Sequence, residues 1–102
     1  MIVASLIAAL SAGAPAPCVV PVPAGAVAKG KSWYVAGSVV AFGGKVWEKY
    51  GLPRVLMPGE VAQAGVYKGA AVYHERGVKD YEVIYVLVDL GACSFQPYQV
   101  KR

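Results

Sequence analysis

Ten residues, Tyr81 to Leu90 (YEVIYVLVDL), constrain this chain more than any other stretch. They are mostly β-branched and aromatic and contain neither Gly nor Pro, which suits a pleated, half-buried surface. Alternation sets Ile84, Val86, Val88 and Leu90 on one face and Tyr81, Val83, Tyr85 and Leu87 on the other. Neither face is predominantly polar. A strand of this kind is central in a covered sheet, or its second face is covered by another molecule.

The remaining residues bound what can cover it. At 102 residues there is room for one domain, yet 57% of the chain is hydrophobic and only 16% charged. That is too apolar for disorder and leaves more apolar surface than a small core hides, which points to a subunit or membrane contact. The net charge of +4 is mild and selects no partner by itself. Asn and Thr are both missing, so there is no N-glycosylation acceptor, and the scarcity of labile amides fits a thermostable protein.

Three regions follow from the N-terminus. Residues 1–14 form an apolar run, Ile2 to Leu10, ending in small residues. They read as a secretory leader, or else as an apolar packing arm, and are too short to span a bilayer as a helix. Residues 15–31 carry Pro15, Pro17, Pro21 and Pro23, which forbid a helix and predict an extended arm. Val19, Val20 and Val22 make that arm apolar enough to lie on a surface. Residues 32–102 then read as a small β domain.

Within that domain, Trp33 to Phe42 reads as a strand bent at Gly37, and Gly43-Gly44 as a two-residue hairpin turn. The implied register pairs Val40 with Trp47 and Phe42 with Lys45. A short strand is expected over Arg54 to Met57, a turn at Pro58-Gly59, and a second hairpin around Lys68-Gly69. Asp89, the one acid inside the strand, would need Arg54 or Arg76 as a partner if buried, and is expected instead at the strand end beside Gly91, reaching solvent or capping the turn. Short strands with frequent Gly and Pro breaks predict an all-β fold, a small antiparallel barrel or sandwich carrying an extended Pro-rich N-terminal arm. In outline the pattern is similar to SH3-like and OB-like barrels, which names a fold and not a function.

Chemistry-bearing motifs are sparse. His74 is the single histidine, and its acidic neighbours have no metal-ligand or acid–base spacing. There is no nucleophile elbow and no phosphate-cradling loop, so the chain reads as a non-enzymatic protein without metal or cofactor. Lys and Arg are too scattered for a nucleic-acid arm. Cys18 and Cys93 lie far apart in sequence, and in an oxidising compartment they would bridge the arm to the segment after the long strand. The aromatics Trp33, Tyr34, Tyr67 and Tyr73 are candidates for contacting a glycan or peptide. Tyr81, Tyr85 and Leu87, with Val19, Val20 and Val22, are candidates for contacting other protein subunits, and residues 1–14 for touching a membrane. The resulting expectation is a structural or assembly subunit in the cell envelope or secreted. The competing one is a monomeric envelope module that binds glycan or peptide through its aromatics.

Overall fold

The computed structural model describes residues 26–102. Among these residues a short helix, α1 (Ser32–Val35), precedes seven strands: β1 (Val40–Phe42), β2 (Lys45–Lys49), β3 (Arg54–Val55), β4 (Val61–Tyr67), β5 (Ala70–Glu75), β6 (Val83–Asp89) and β7 (Ser94–Val100). They form one antiparallel sheet in the order β1-β2-β7-β6-β5-β4, with β3 also paired to β7. The sheet curls into a half-barrel. The all-β expectation holds.

Both expected hairpins are present. Val40 pairs with Trp47 and Phe42 with Lys45 across Gly43-Gly44, and Tyr67 pairs with Ala70 across Lys68-Gly69. Gly43 and Gly44 have φ of 61° and 79°, the left-handed pair that a type I′ turn needs and that matches the strand twist.

The strand expected over Trp33 to Phe42 is corrected. Its first part is α1, and the strand begins only at Val40. The reason lies in the two rings. A strand would send Trp33 and Tyr34 to opposite faces, whereas a helical turn lets both pack inward. Trp33 meets Tyr67 edge-on at 5.0 Å, and Tyr34 donates its hydroxyl to Gln96 Oε1 at 3.1 Å.

The long strand is indeed buried on both faces. Ile84 and Val86 join Val40, Trp47, Val72 and Tyr98 in the concave core. Tyr85 and Leu87 join Leu56, Val61, Tyr73 and Phe95 in a second core on the outer face. Each fully buried large side chain contributes roughly 1.5–3 kcal/mol, so the two clusters supply most of the driving force. Across the open side of the curl, Phe42 of β1 approaches β4 at Gly65. A Cβ at Gly65 would stand 3.1 Å from the Phe42 ring, so a side chain there would push the ring back by a few tenths of an ångström.

The body also starts earlier than Ser32. Ala26 and Ala28 are buried, and they fill a gap between β5 and β6. Direct pairing of those strands covers Val72↔Val86 and Tyr73↔Tyr85. Beyond it, the Ala71 amide donates to Ala26 O and the Ala28 amide donates to Leu87 O. The small side chains allow the backbone to wedge between two strands.

β7 tolerates Pro97 for a related reason. Pro97 O accepts from the Tyr50 amide, so its missing N–H would face the same side, where β2 gives way to Gly51-Leu52-Pro53. Gln96 fills that break. It is 2% exposed, the one buried polar side chain among the described residues, and its amide donates to Gly51 O and Pro97 O at 3.0 and 3.1 Å. Replacing Gln96 with Leu strands the Gly51 carbonyl and the Tyr34 hydroxyl. We expect a loss of about 2 kcal/mol in denaturant unfolding, against no measurable change for the exposed Gln99→Leu.

Tyr73 and Tyr98 have phenols that burial pushes up to about 12 from 10.0. Neither hydroxyl has a hydrogen-bond partner among the described residues. A raised folded-state value means the stabilisation is complete below the unfolded value near 10 and is lost as pH rises toward 12. Phenolate absorbance should therefore show two tyrosines ionising only together with unfolding in that window. Tyr98→Phe, which removes an unsatisfied hydroxyl, should unfold no more easily than the parent at neutral pH.

Candidate functional site

The residues proposed from sequence as contacts are mostly spent on the fold itself. Tyr85 and Leu87 sit in the outer-face core, Tyr85 only 8% exposed and Leu87 fully buried, which corrects the expectation of a contact face there. The second face of β6 is covered by the chain's own Leu56, Val61 and Ala26, so no neighbour is needed to cover it. Tyr81 is half-buried, stacked 4.5 Å from His74 and 6.3 Å from Trp47. His74 Nδ1 lies 2.9 Å from Glu75 O, an ordinary strand-surface arrangement.

The proposed ligand aromatics are likewise packing residues. Tyr73 is buried edge-on against Phe95, and Trp33, Tyr34 and Tyr67 are half-buried against the concave core. The four do not line one open groove: Tyr73 belongs to the outer core and the others to the inner one. Lys49 closes over Tyr34, 3.9 Å from its ring centre and donating to Tyr34 O at 2.7 Å, and the burial lowers its pKa. Asp89 caps its turn as expected, accepting from the Gly91 amide at 3.0 Å, and its carboxyl is held below the usual value chiefly by Lys29. Val19, Val20, Val22, Cys18 and residues 1–14 lie outside the described residues. Cys93 is buried at the rim of the outer core. Among the described residues no group of three His, Cys, Asp or Glu side chains could hold a metal ion.

Exposed large apolar side chains are scattered over the described surface, Val35 and Val66 among them, but they fall closest together in segment 52–60. Leu52, Val55 and Met57 are 82%, 67% and 52% exposed. Facing the other way from Val55 and Met57, Arg54 and the buried Leu56 wall a cleft of about 450 Å³ shared with Glu60, Val61, Arg76 and Tyr85. Strand alternation produces the division: Arg54 and Leu56 turn to the outer face, Val55 and Met57 away from it.

The cleft wall is built by hydrogen bonds to main chain. Met57 to Glu60 closes as a 3₁₀ turn in which the Met57 amide donates to Glu60 Oε1 at 2.6 Å. Arg76 ties that turn down, with Nε donating to Gly59 O and Nη2 to Val61 O, both at 3.0 Å. Arg54 Nη1 reaches the Tyr85 hydroxyl at 3.5 Å, and its guanidinium lies 5.9 Å from the ring centre. The ion pairs among the described residues are Lys29–Asp89 and Arg102–Glu82. Neither cleft guanidinium therefore sits against a carboxylate.

Sequence reasoning missed this surface. Arg54 to Met57 was legible as a short strand, but Leu52, Val55 and Met57 look like core in a chain so rich in apolar residues. Only Pro53 and Pro58, which keep the strand short and at an edge, could have hinted that it is exposed. Comparison with protein-family models, with curated proteins and with solved structures returns no match to this chain.

Proposed function

We propose that this chain is a non-enzymatic subunit that assembles with other proteins outside the cytoplasm, as part of a cell-envelope or membrane-associated complex. Its docking surface is the β3 edge, with the apolar N-terminal segment as a second contact. The observation that carries this reading is the exposure of Leu52, Val55 and Met57 within six residues, beside a strand that is paired on one side only among the described residues. Large apolar side chains gathered at an unpaired edge are what a monomer avoids and a subunit uses. The extracytoplasmic placement rests on the leader-like run at residues 1–14.

The reading includes a Cys18–Cys93 bridge. Ala26 is anchored in the same outer cluster as Cys93, so the arm enters the body near the residue it would be tied to. Closing so long a loop contributes roughly 4 kcal/mol in the chain-entropy model. Protein purified without reductant should weigh two hydrogens less than the reduced chain, and Cys93→Ser should lower stability by an amount of that order. Equal masses would remove the bridge from the proposal.

Assembly itself is checked by sedimentation. The parent should sediment as more than one chain at tens of micromolar, and Leu52→Glu with Met57→Glu should return it to a monomer with unchanged far-UV dichroism. A parent that stays monomeric with every candidate partner favours instead the monomeric module that binds glycan or peptide.

A further inference from the structure

We propose that the end of the sheet beside α1 is a basic face that binds the anionic headgroups of a lipid bilayer, through Lys29, Lys31 and Lys68 with Val35 set among the headgroups. This goes beyond the assembly reading, which uses the β3 edge, and does not depend on it.

Folding gathers lysines that are scattered in the sequence. β5 begins where β6 ends, with Val72 opposite Val86, so the Lys68-Gly69 turn and Asp89 share one end of the sheet. The Lys29 amide donates to Val88 O, which brings the chain leading into α1 to that same end. Lys31 then lies against the turn, its Cε and Nζ 3.3 Å from where a Cβ on Gly69 would stand. Lys68 Nζ is 5.4 Å from the Tyr67 ring centre, and Tyr67 packs edge-on against Trp33 of α1. Lys49 adds a fourth charge beside Tyr34, where its bond to Tyr34 O keeps it half-buried.

This face lacks counter-charge of its own. The chain has six carboxylate side chains, and all six fall within the described residues. Glu82 pairs with Arg102, and Glu48 accepts from Gln99. Glu60 and Glu75 line the Arg76 cleft, and Asp80 borders a hollow with Lys45 and Tyr81. Asp89 alone lies at the lysine end, 3.4 Å from Lys29. No acid in the chain is therefore left to neutralise Lys31 and Lys68, and residues 1–25 bring none, since they contain no charged side chain. The counter-charge has to come from another molecule.

The apolar neighbours choose among polyanions. Val35 is 71% exposed and one turn from Lys31, its amide donating to Lys31 O. Val66, next to Tyr67 and the Lys68 turn, is 54% exposed. Nucleic-acid phosphates are bound chiefly through charge, and exposed aliphatic groups add nothing to that. A bilayer interface takes both kinds of group, lysines at the headgroups and apolar side chains just below them, with lysine stems lying along the apolar surface.

The test is partition onto extruded vesicles, measured by sedimentation with the full chain below the concentration at which it self-associates. One set of vesicles is phosphatidylcholine alone, and the other is two parts phosphatidylcholine to one part phosphatidylglycerol. The anionic vesicles should bind about tenfold more tightly or better, with binding that falls as salt rises. A lysine near such a surface is worth about fivefold, so Lys31→Gln with Lys68→Gln should lose about twentyfold. Lys79→Gln with Lys101→Gln, the same loss of charge at the opposite end, should change partition by less than about twofold. Val35→Ser should weaken vesicle binding about threefold and leave oligonucleotide binding unchanged. Dichroism verifies the fold of each variant. Equal binding to the two kinds of vesicle, or equal losses from the two lysine pairs, overturns the proposal. So does an oligonucleotide bound more tightly per phosphate than the vesicles with Val35→Ser indifferent to both, which would give the face to nucleic acid. If vesicle binding fails while Leu52→Glu with Met57→Glu still returns the assembly to a monomer, this inference falls and the assembly reading stands.

Discussion

The two-sided burial of β6 is the constraint on which the rest of the structure depends. Ile84 and Val86 need one apolar layer and Tyr85 and Leu87 another, and a chain this short has few elements with which to build two. Curling the sheet solves the first requirement, because β1 and β2 come round to place Val40 and Trp47 over Val72, Ile84 and Val86. The second is met without a second sheet. Leu56 and Val61, on either side of a 3₁₀ turn, and Ala26 cover Tyr73, Tyr85, Leu87 and Phe95. Thin coverage of that outer core is why the cleft walled by Arg54 and Arg76 opens there, with Tyr85 in its lining.

The wedge of Ala26 to Ala28 follows from the same geometry. Strong curl separates β5 from β6 beyond Tyr73↔Tyr85 and Val72↔Val86, which would leave the Ala71 amide and the Leu87 carbonyl unpaired inside the protein. Unmet buried main-chain groups are costly, and the incoming chain satisfies both. A bulky residue at position 26 or 28 could not enter so narrow a gap. The stretch Ala26 to Ala28 is thus part of the body.

How much of this was legible in the sequence depended on whether the governing interaction was local. The hairpins at Gly43-Gly44 and Lys68-Gly69 are set by turn chemistry, the first readable to its register and the second at its turn. The long strand was readable because a ten-residue run with eight apolar or aromatic residues and neither Gly nor Pro leaves no other option. α1 was not, since nothing local distinguishes Trp33-Tyr34 in a strand from the same pair in a helical turn. Tyr67 and Gln96, distant in sequence, decide it. The candidate site was illegible for the same reason. Tyr85 and Leu52 are both large and apolar, and whether each is buried depends on what folds over it, which no periodicity within ten residues records.

The break at Gly51-Leu52-Pro53 links the fold to its surface. Pairing with β7 runs Lys49↔Tyr98 before the break and Arg54↔Phe95 after it, so the chain gains two residues relative to β7. An even number matters. Side chains alternate with period two, so a gain of two leaves every later residue on the face it would have had, whereas a gain of one exchanges the faces. With one residue more or fewer, Leu56 would leave the outer core and Arg54 would turn away from Tyr85, while Val55 and Met57 would be driven toward Phe95. With two, Leu56 stays over Phe95, Arg54 stays at the cleft, and Val55 falls on the concave side past the end of the inner core, where nothing covers it. The exposed apolar row is therefore a consequence of register and not of composition. The Gln96 side chain, bonded to Gly51 O across the break, is the contact that holds that register.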